Sequence, residues 1–289
     1  MMRYLYKSFL WYNLRAWCTL IYPALCLCTY QHCAAQDMKT YGVKINVADM
    51  QQAYSFYVDK LGFKVIAGND KSEFLFLNGG NEKDMLIIKK VRNLIPEAST
   101  EARAILTIQV NNLDSSIMRM KRMGVDFGEE RKRKEGVGFA IFCRDPFGTE
   151  ISVMQITVED DKRVHEPVVY NYGYRISDMD KSRTFYRQFG FIEKTDRYLP
   201  LDMPLYNADS SFSFMLHYRE NIEPVTQNAA DNEHTVILFK TENIQMFYDK
   251  YKSTLRFIQK SVMENDYFRY ISFSDPDGYI SEVIETKNR

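Results

Sequence analysis

Glu282 is the side chain in this sequence whose setting most plainly asks for chemistry. It follows the stretch Phe273-Ser274-Asp275-Pro276-Asp277-Gly278-Tyr279-Ile280-Ser281. In Asp275-Pro276-Asp277-Gly278 the Asp side chain can accept from nearby backbone, the Pro presets φ, and the Gly relieves the turn's end. The runs Tyr267–Phe273 and Tyr279–Ile284 on either side predict a β-hairpin. Strand side chains repeat a face every second residue, so Ile280, Glu282 and Ile284 share one. A carboxylate between isoleucines is a costly buried charge or a ligand to something. The alternative is a face open to water, as on half-solvated antiparallel sheets. Cys143, inside another strand, reads as an inert buried thiol. The sequence has no Ser-His-Asp order, phosphate loop or dinucleotide fingerprint; Gly79-Gly80 lies in a turn without the strand–helix context a phosphate loop needs.

The elements that would position Glu282 are written twice. Tyr41–Val47 alternates as a strand, Asp49 offers an N-cap, Met50–Lys60 has helical spacing, and Gly62 closes the helix. Strand candidates follow at Phe63–Ala67, Glu73–Leu77 and Met85–Lys90. A second cycle runs through strand Ala104–Val110, helix Leu113–Met123, a weak strand near Val125–Glu129, then Val137–Cys143 and Glu150–Ile156 around Asp145-Pro146-Phe147-Gly148. The charged stretch Thr157–Pro167 is the natural linker. The order then returns: strand Val169–Ile176, cap Asp178, helix Met179–Phe189, and strands near Ile192–Tyr198, Leu201–Ala208 and Phe212–His217. Strand His234–Phe239, helix Ile244–Leu255 and the hairpin close the chain. Asp49 to Asp178 and Phe56 to Phe185 are each 129 residues apart, Gly62 to Gly190 is 128, and Asp145 to Asp275 is 130. Four landmarks at nearly one shift indicate a tandem duplication. The fold class expected is α+β, four βαβββ units in two domains at 38–157 and 168–289, with a linker at 158–167.

Bulk properties remove whole classes of function. The 289 residues allow about two domains. Lys plus Arg balance Asp plus Glu at 38 each, and no basic stripe interleaves with aromatics, so nucleic acid is not an expected partner. The basic run Arg131-Lys132-Arg133-Lys134 is flanked by Glu130 and Glu135 and reads as a solvated loop. Cys18, Cys26, Cys28 and Cys33 all lie in residues 1–37, which leaves Cys143 alone in the folded part and excludes a disulfide framework there. That leader has Arg3, Lys7 and Arg15, a mostly apolar Ala16–Tyr30, and Cys33-Ala34-Ala35 as a candidate cleavage site. It is either a secretory signal, with export if residues 1–35 are removed, or an extension upstream of a true start at Met38, with a cytoplasmic protein. The apolar run is short for a membrane span, and the folded part is expected to have no membrane partner.

Val47-Ala48-Asp49-Met50, Phe56-Tyr57, Leu61-Gly62-Phe63 and an Asp-Pro-x-Gly near each domain's end together resemble the vicinal oxygen chelate superfamily, which includes glyoxalase I, bleomycin-resistance proteins and extradiol dioxygenases. The resemblance spans about residues 40–285 and implies glyoxalase-like domains with curled mixed sheets and metal ligands on their inner face. Carried over to this sequence, it places Asn171 where a His is usual, His234 at the start of a strand, and Glu282 after the last Asp-Pro-x-Gly. A further position falls on Met215, with His217 two residues on and on the same face. His and carboxylate suit a divalent metal such as Fe, Mn, Ni or Zn. The matching first-domain positions, Gly42, Ile105 and Ser152, hold no competent ligand. Arg175, on the inner face, would suit a substrate carboxylate or phosphate, or else a rim ion pair. Tyr172, Tyr174, Tyr206 and Tyr270 read as packing. The resemblance implies a metal-dependent lyase, isomerase or ring-cleavage dioxygenase acting on a small oxygen-chelating substrate, with Glu282 as ligand and base. The alternative it implies is a metal-free binding or resistance protein for small aromatic molecules, and a homodimer is compatible with either.

Overall fold

Four times along the chain a strand runs into a helix through an Asx residue that caps it. Asp49, Asn112, Asp178 and Asn243 each accept from the backbone N–H three residues on, at 3.1, 2.9, 3.0 and 2.9 Å. Such side chains satisfy donors that the first helical turn leaves without partners. The computed structural model describes residues 38–80, 85–92, 94, 103–128, 130–157, 167–194, 199, 201–209, 211–222 and 234–287. The leader and most of the expected linker lie outside them. From Met38 onward the chain forms one folded unit.

The first βαβββ unit comprises β1 (Lys39–Val47), α1 (Met50–Tyr54), β2 (Lys64–Ala67), β3 (Phe74–Asn78) and β4 (Met85–Lys90). The second comprises β5 (Ala104–Gln109), α2 (Leu113–Arg122), β6 (Arg133–Glu135), β7 (Gly138–Arg144) and β8 (Glu150–Ile156). The third has β9 (Val168–Ile176), α3 (Met179–Arg187), β10 (Asp202–Tyr206) and β11 (Phe212–Tyr218). The fourth has β12 (Thr235–Lys240), α4 (Ile244–Tyr251), β13 (Arg256–Phe257), β14 (Met263–Glu264), β15 (Phe268–Ser274) and β16 (Ile280–Thr286). The fold is α+β, with tandem βαβββ-type domains and curled mixed sheets.

Sheet pairing does not follow chain order. The large sheet runs β13-β15-β16-β12-β1-β4-β3-β2, with β14 on β15, and so joins the first unit to the fourth. The small sheet runs β10-β11-β9-β5-β8-β7-β6 and joins the second unit to the third. Both junctions are antiparallel: Val43 faces Ile237 across β1–β12, and Thr107 faces Asn171 across β5–β9. Alternation sends Val43, Ile45 and Val47 into the main core, which also takes residues of both sheets and the helices. A second cluster, built on Phe76, Ile87, Val236, Leu238, Phe268 and Ile284, covers the opposite face of the large sheet.

Two local expectations need correction. No strand forms across the described part of 125–129. Val125 N–H instead donates to Met120 O at 2.9 Å and finishes α2. The strand of that unit is β6, drawn from the charged run that reads as a loop. It lies at the sheet's edge, where charge discourages pairing with other chains. Ile192 makes only an isolated bridge to Tyr206, and residues 195–198 are outside the described set. One irregularity is visible in the spacing. Asp49 to Gly62 holds one residue more than Asp178 to Gly190, and α1 passes into a π-helical stretch at Ser55–Lys60. A π-turn is how a helix absorbs an inserted residue.

Candidate functional site

Glu282 is carried by the β15–β16 hairpin. The Asp275 carboxylate organises its turn, accepting from Asp277 N at 3.0 Å, Tyr279 N at 2.9 Å and the Tyr186 hydroxyl at 3.0 Å. The Tyr57 hydroxyl donates to Asp145 in the same way at 2.7 Å, so each Asp-Pro-x-Gly turn is tied to the helical segment of the preceding unit. Burial is the main cause that pushes the Asp275 carboxyl up to about 7, and the Asp277 charge adds to it. Burial also raises Asp145. The Cys143 thiol is buried and pushed up to about 12, first by desolvation and then by the Asp145 and Glu150 carboxylates.

From that hairpin Glu282 emerges on the same face as Ile284, opposite the main core. It is buried, which removes the open-face alternative. Its partner comes from the other end of the chain. Lys44 Nζ donates to Glu282 Oε2 at 2.6 Å, with the two side chains only 8% and 9% exposed. The lysine sits on β1, which reaches β16 through β12. Sequence reasoning missed it. The signal was a lysine in mid-strand, two residues from Gly42 and so on its face. Gly42 itself has room for no side chain, because a Cβ there would lie 2.0 Å from Met85 O.

The pair stands in a cavity of about 270 Å³. Phe74, Ile87, Leu238, Tyr267, Phe268 and Tyr270 form its apolar walls, and Glu73, Lys89 and Asp266 also line it. The aromatic wall is packed into one surface: Tyr267 lies 5.6 Å from Phe74 and 4.8 Å from Phe76, centroid to centroid. Aromatic contacts at these distances hold a wall in place.

The other residues singled out from sequence are spread over two sheets. His234 is buried just before β12 in the large sheet, and its carbonyl accepts from Asn46 N at 2.9 Å. Four residues separate it from Leu238, the strand neighbour of Glu282, which is about 13 Å of extended chain. His217 and Asn171 belong to the small sheet. His217 Nδ1 lies 2.7 Å from Asp202 Oδ1. The Asn171 side chain is buried, and its Oδ1 meets no hydrogen-bond partner among the described residues. Arg175 is buried too and donates to Glu150 at 2.7 Å. Tyr172 and Tyr174 pack in the main core, whereas Tyr270 lines the cavity.

The model of the Glyoxalase/Bleomycin resistance protein/Dioxygenase superfamily matches residues 30–153 and 169–283. The chain belongs to this superfamily. Solved structures agree on the architecture. A putative dioxygenase from Bacillus subtilis superposes with TM-score 0.61 at 13% identity, covering 87% of this chain and 86% of that one. Glyoxalase I from Zea mays superposes with TM-score 0.60 at 14% identity, covering 86% and 92%. At these identities the likeness is one of fold. No curated protein sequence matches the chain.

Glyoxalase/dioxygenase superfamily folds imply a divalent metal, and the donors at the large-sheet face do not fit one. The Glu282 carboxylate is held by an ammonium group, which carries three donors and no lone pair to give a metal. Among the described residues, no group of three or more His, Cys, Asp or Glu is placed to hold an ion. Nor is any helix among them long and apolar enough to cross a membrane.

Proposed function

We propose that this superfamily member binds a small, flat organic molecule in the large-sheet cavity, and does so without a metal. The observation that carries the reading is the Lys44–Glu282 pair at 2.6 Å on an aromatic-walled face. It supplies a built-in cation beside the carboxylate, which balances the charge that a metal ion would otherwise balance. The cavity, about 270 Å³, is near the lower limit of about 300 Å³ usual for small-molecule sites, so a ligand of one or two rings suits it. Lys44, Ser72, Glu73, Lys89, Asn265, Asp266 and Glu282 share the lining with the apolar side chains, so the ligand that suits it carries polar groups as well as a ring.

Calorimetry on chelator-treated protein against a panel of one- and two-ring aromatic compounds tests this. Binding that persists after chelation is expected, with no stoichiometric uptake on reconstitution with Fe, Mn, Ni or Zn. One tightly held ion per chain, lost in Glu282→Gln, would overturn the proposal, as would failure of every compound to bind.

A further inference from the structure

Three side chains line up behind the amine of Lys44. Its Nζ lies 2.6 Å from Glu282 Oε2. That oxygen also accepts from the Ser272 hydroxyl at 3.5 Å, and Gln259 Nε2 donates to Ser272 Oγ at 3.1 Å. Gln259 Oε1 in turn accepts from Ser272 N at 2.7 Å, which fixes the far end of the row. A nucleophile within reach of a base, with the base oriented by a third group, is the arrangement that activates side-chain nucleophiles. An ordinary exposed lysine is neutral only about once in 2,500 at pH 7. Lys44 has a carboxylate in contact to take its proton and apolar surroundings that penalise charge. Lys44 and Glu282 both line the cavity, so a molecule bound there meets amine and carboxylate together.

We propose, given that the large-sheet cavity takes small flat molecules, that Lys44 condenses reversibly with an aromatic aldehyde to form an imine. Glu282 takes a proton from Nζ, and the freed lone pair of Nζ forms a bond to the aldehyde carbon. The π pair of the C=O bond moves to its oxygen, which takes the proton back from Glu282. Glu282 then removes a second proton from the nitrogen and passes it to the new hydroxyl group. The nitrogen lone pair closes the C=N bond, the C–O bond breaks, and water leaves. One amine and one aldehyde thus give one iminium ion and one water, with no oxidant or reductant. The pair begins as ammonium and carboxylate and ends as iminium and carboxylate, so its net charge is the same before and after. No charge is left buried without its partner, which would be costly. An aldehyde brings a single carbonyl oxygen, and its imine lies flat with the ring, as aromatic walls favour.

The test incubates the full chain with 3-hydroxybenzaldehyde at pH 7 and adds cyanoborohydride, which reduces an iminium ion to a stable secondary amine. Peptide mass spectrometry then locates the label. The ring hydroxyl of this probe is too far from its aldehyde for an internal hydrogen bond. Lys44 is expected to be labelled at least about tenfold faster than the exposed Lys64 and Lys71. Glu282→Asp keeps the charge but draws the carboxylate back by one carbon–carbon bond. It is expected to slow labelling of Lys44 at least about tenfold and to leave Lys64 and Lys71 unchanged, since a positioned acid–base group contributes about 100-fold or more. Labelling of Lys44 no faster than Lys64 and Lys71 overturns the proposal. Calorimetry on aromatic compounds then separates two cases: if any binds, the cavity is still a small-molecule site, and if none binds, the proposed function falls as well. An unchanged rate at Lys44 in Glu282→Asp overturns the proton transfers assigned to Glu282. The comparison among lysines of the unaltered protein needs no variant, so it decides the matter even where Glu282→Asp folds poorly.

Discussion

Asp275 holds the tip of the hairpin that presents Glu282, and its carboxyl is pushed up to about 7 from 3.8. Between those values the native state binds more protons than the unfolded chain, so this residue makes stability fall as pH rises from about 4 to about 7. Asp275→Asn keeps an oxygen for the Asp277 and Tyr279 amides but has no charge to desolvate. Urea unfolding from pH 4 to 8 is expected to show the unaltered protein losing stability relative to the variant, by up to about 4 kcal/mol at full ionisation. A stability difference that does not change with pH would exclude this. Residues of this kind were readable in part. The setting of Glu282 among isoleucines announced a buried or ligating carboxylate, and the turn chemistry of Asp275 was plain. Lys44 was not readable as its partner. Nothing in one sequence says that β1 will lie beside β12, and the pairing, not the local pattern, makes the contact.

At the scale of elements, β1 is a tightly constrained strand. Gly42 lets β1 lie close against β4, where a Cβ would meet the Met85 carbonyl at 2.0 Å. Gly42→Ala must push backbone apart, and overpacking of this sort costs about 1–3 kcal/mol. Chemical denaturation is expected to show a loss near the top of that range; a change under about 0.5 kcal/mol would mean the strands separate freely. The capped helices were legible from Asp49 and Asp178 because a side chain that caps does so locally. The one-residue difference between the Asp49–Gly62 and Asp178–Gly190 intervals is likewise local, and it surfaces as the π-turn. β6 was not legible, since strand reading relies on apolar alternation and Arg133-Lys134-Glu135 has none.

For the whole molecule, the duplication was visible in the offsets, but the crosswise assembly was not. Each sheet draws one unit from each half of the chain. Residues 38–157 or 168–289 made alone would leave central strands as open edges. Each half is therefore expected to lack cooperative unfolding as a monomer, and the two are expected to recover it when mixed, as followed by circular dichroism and size-exclusion chromatography. Native-like stability in either monomeric half would refute this. The same arrangement sets a timetable for biosynthesis. β5 and β9 can meet early, but β1 must wait for β12 across the roughly 190 residues between Val47 and Thr235, about 10–40 s at common rates of translation. During that interval the nascent chain carries an unguarded seam, and the lysine that will meet Glu282 leaves the ribosome long before its counter-ion exists.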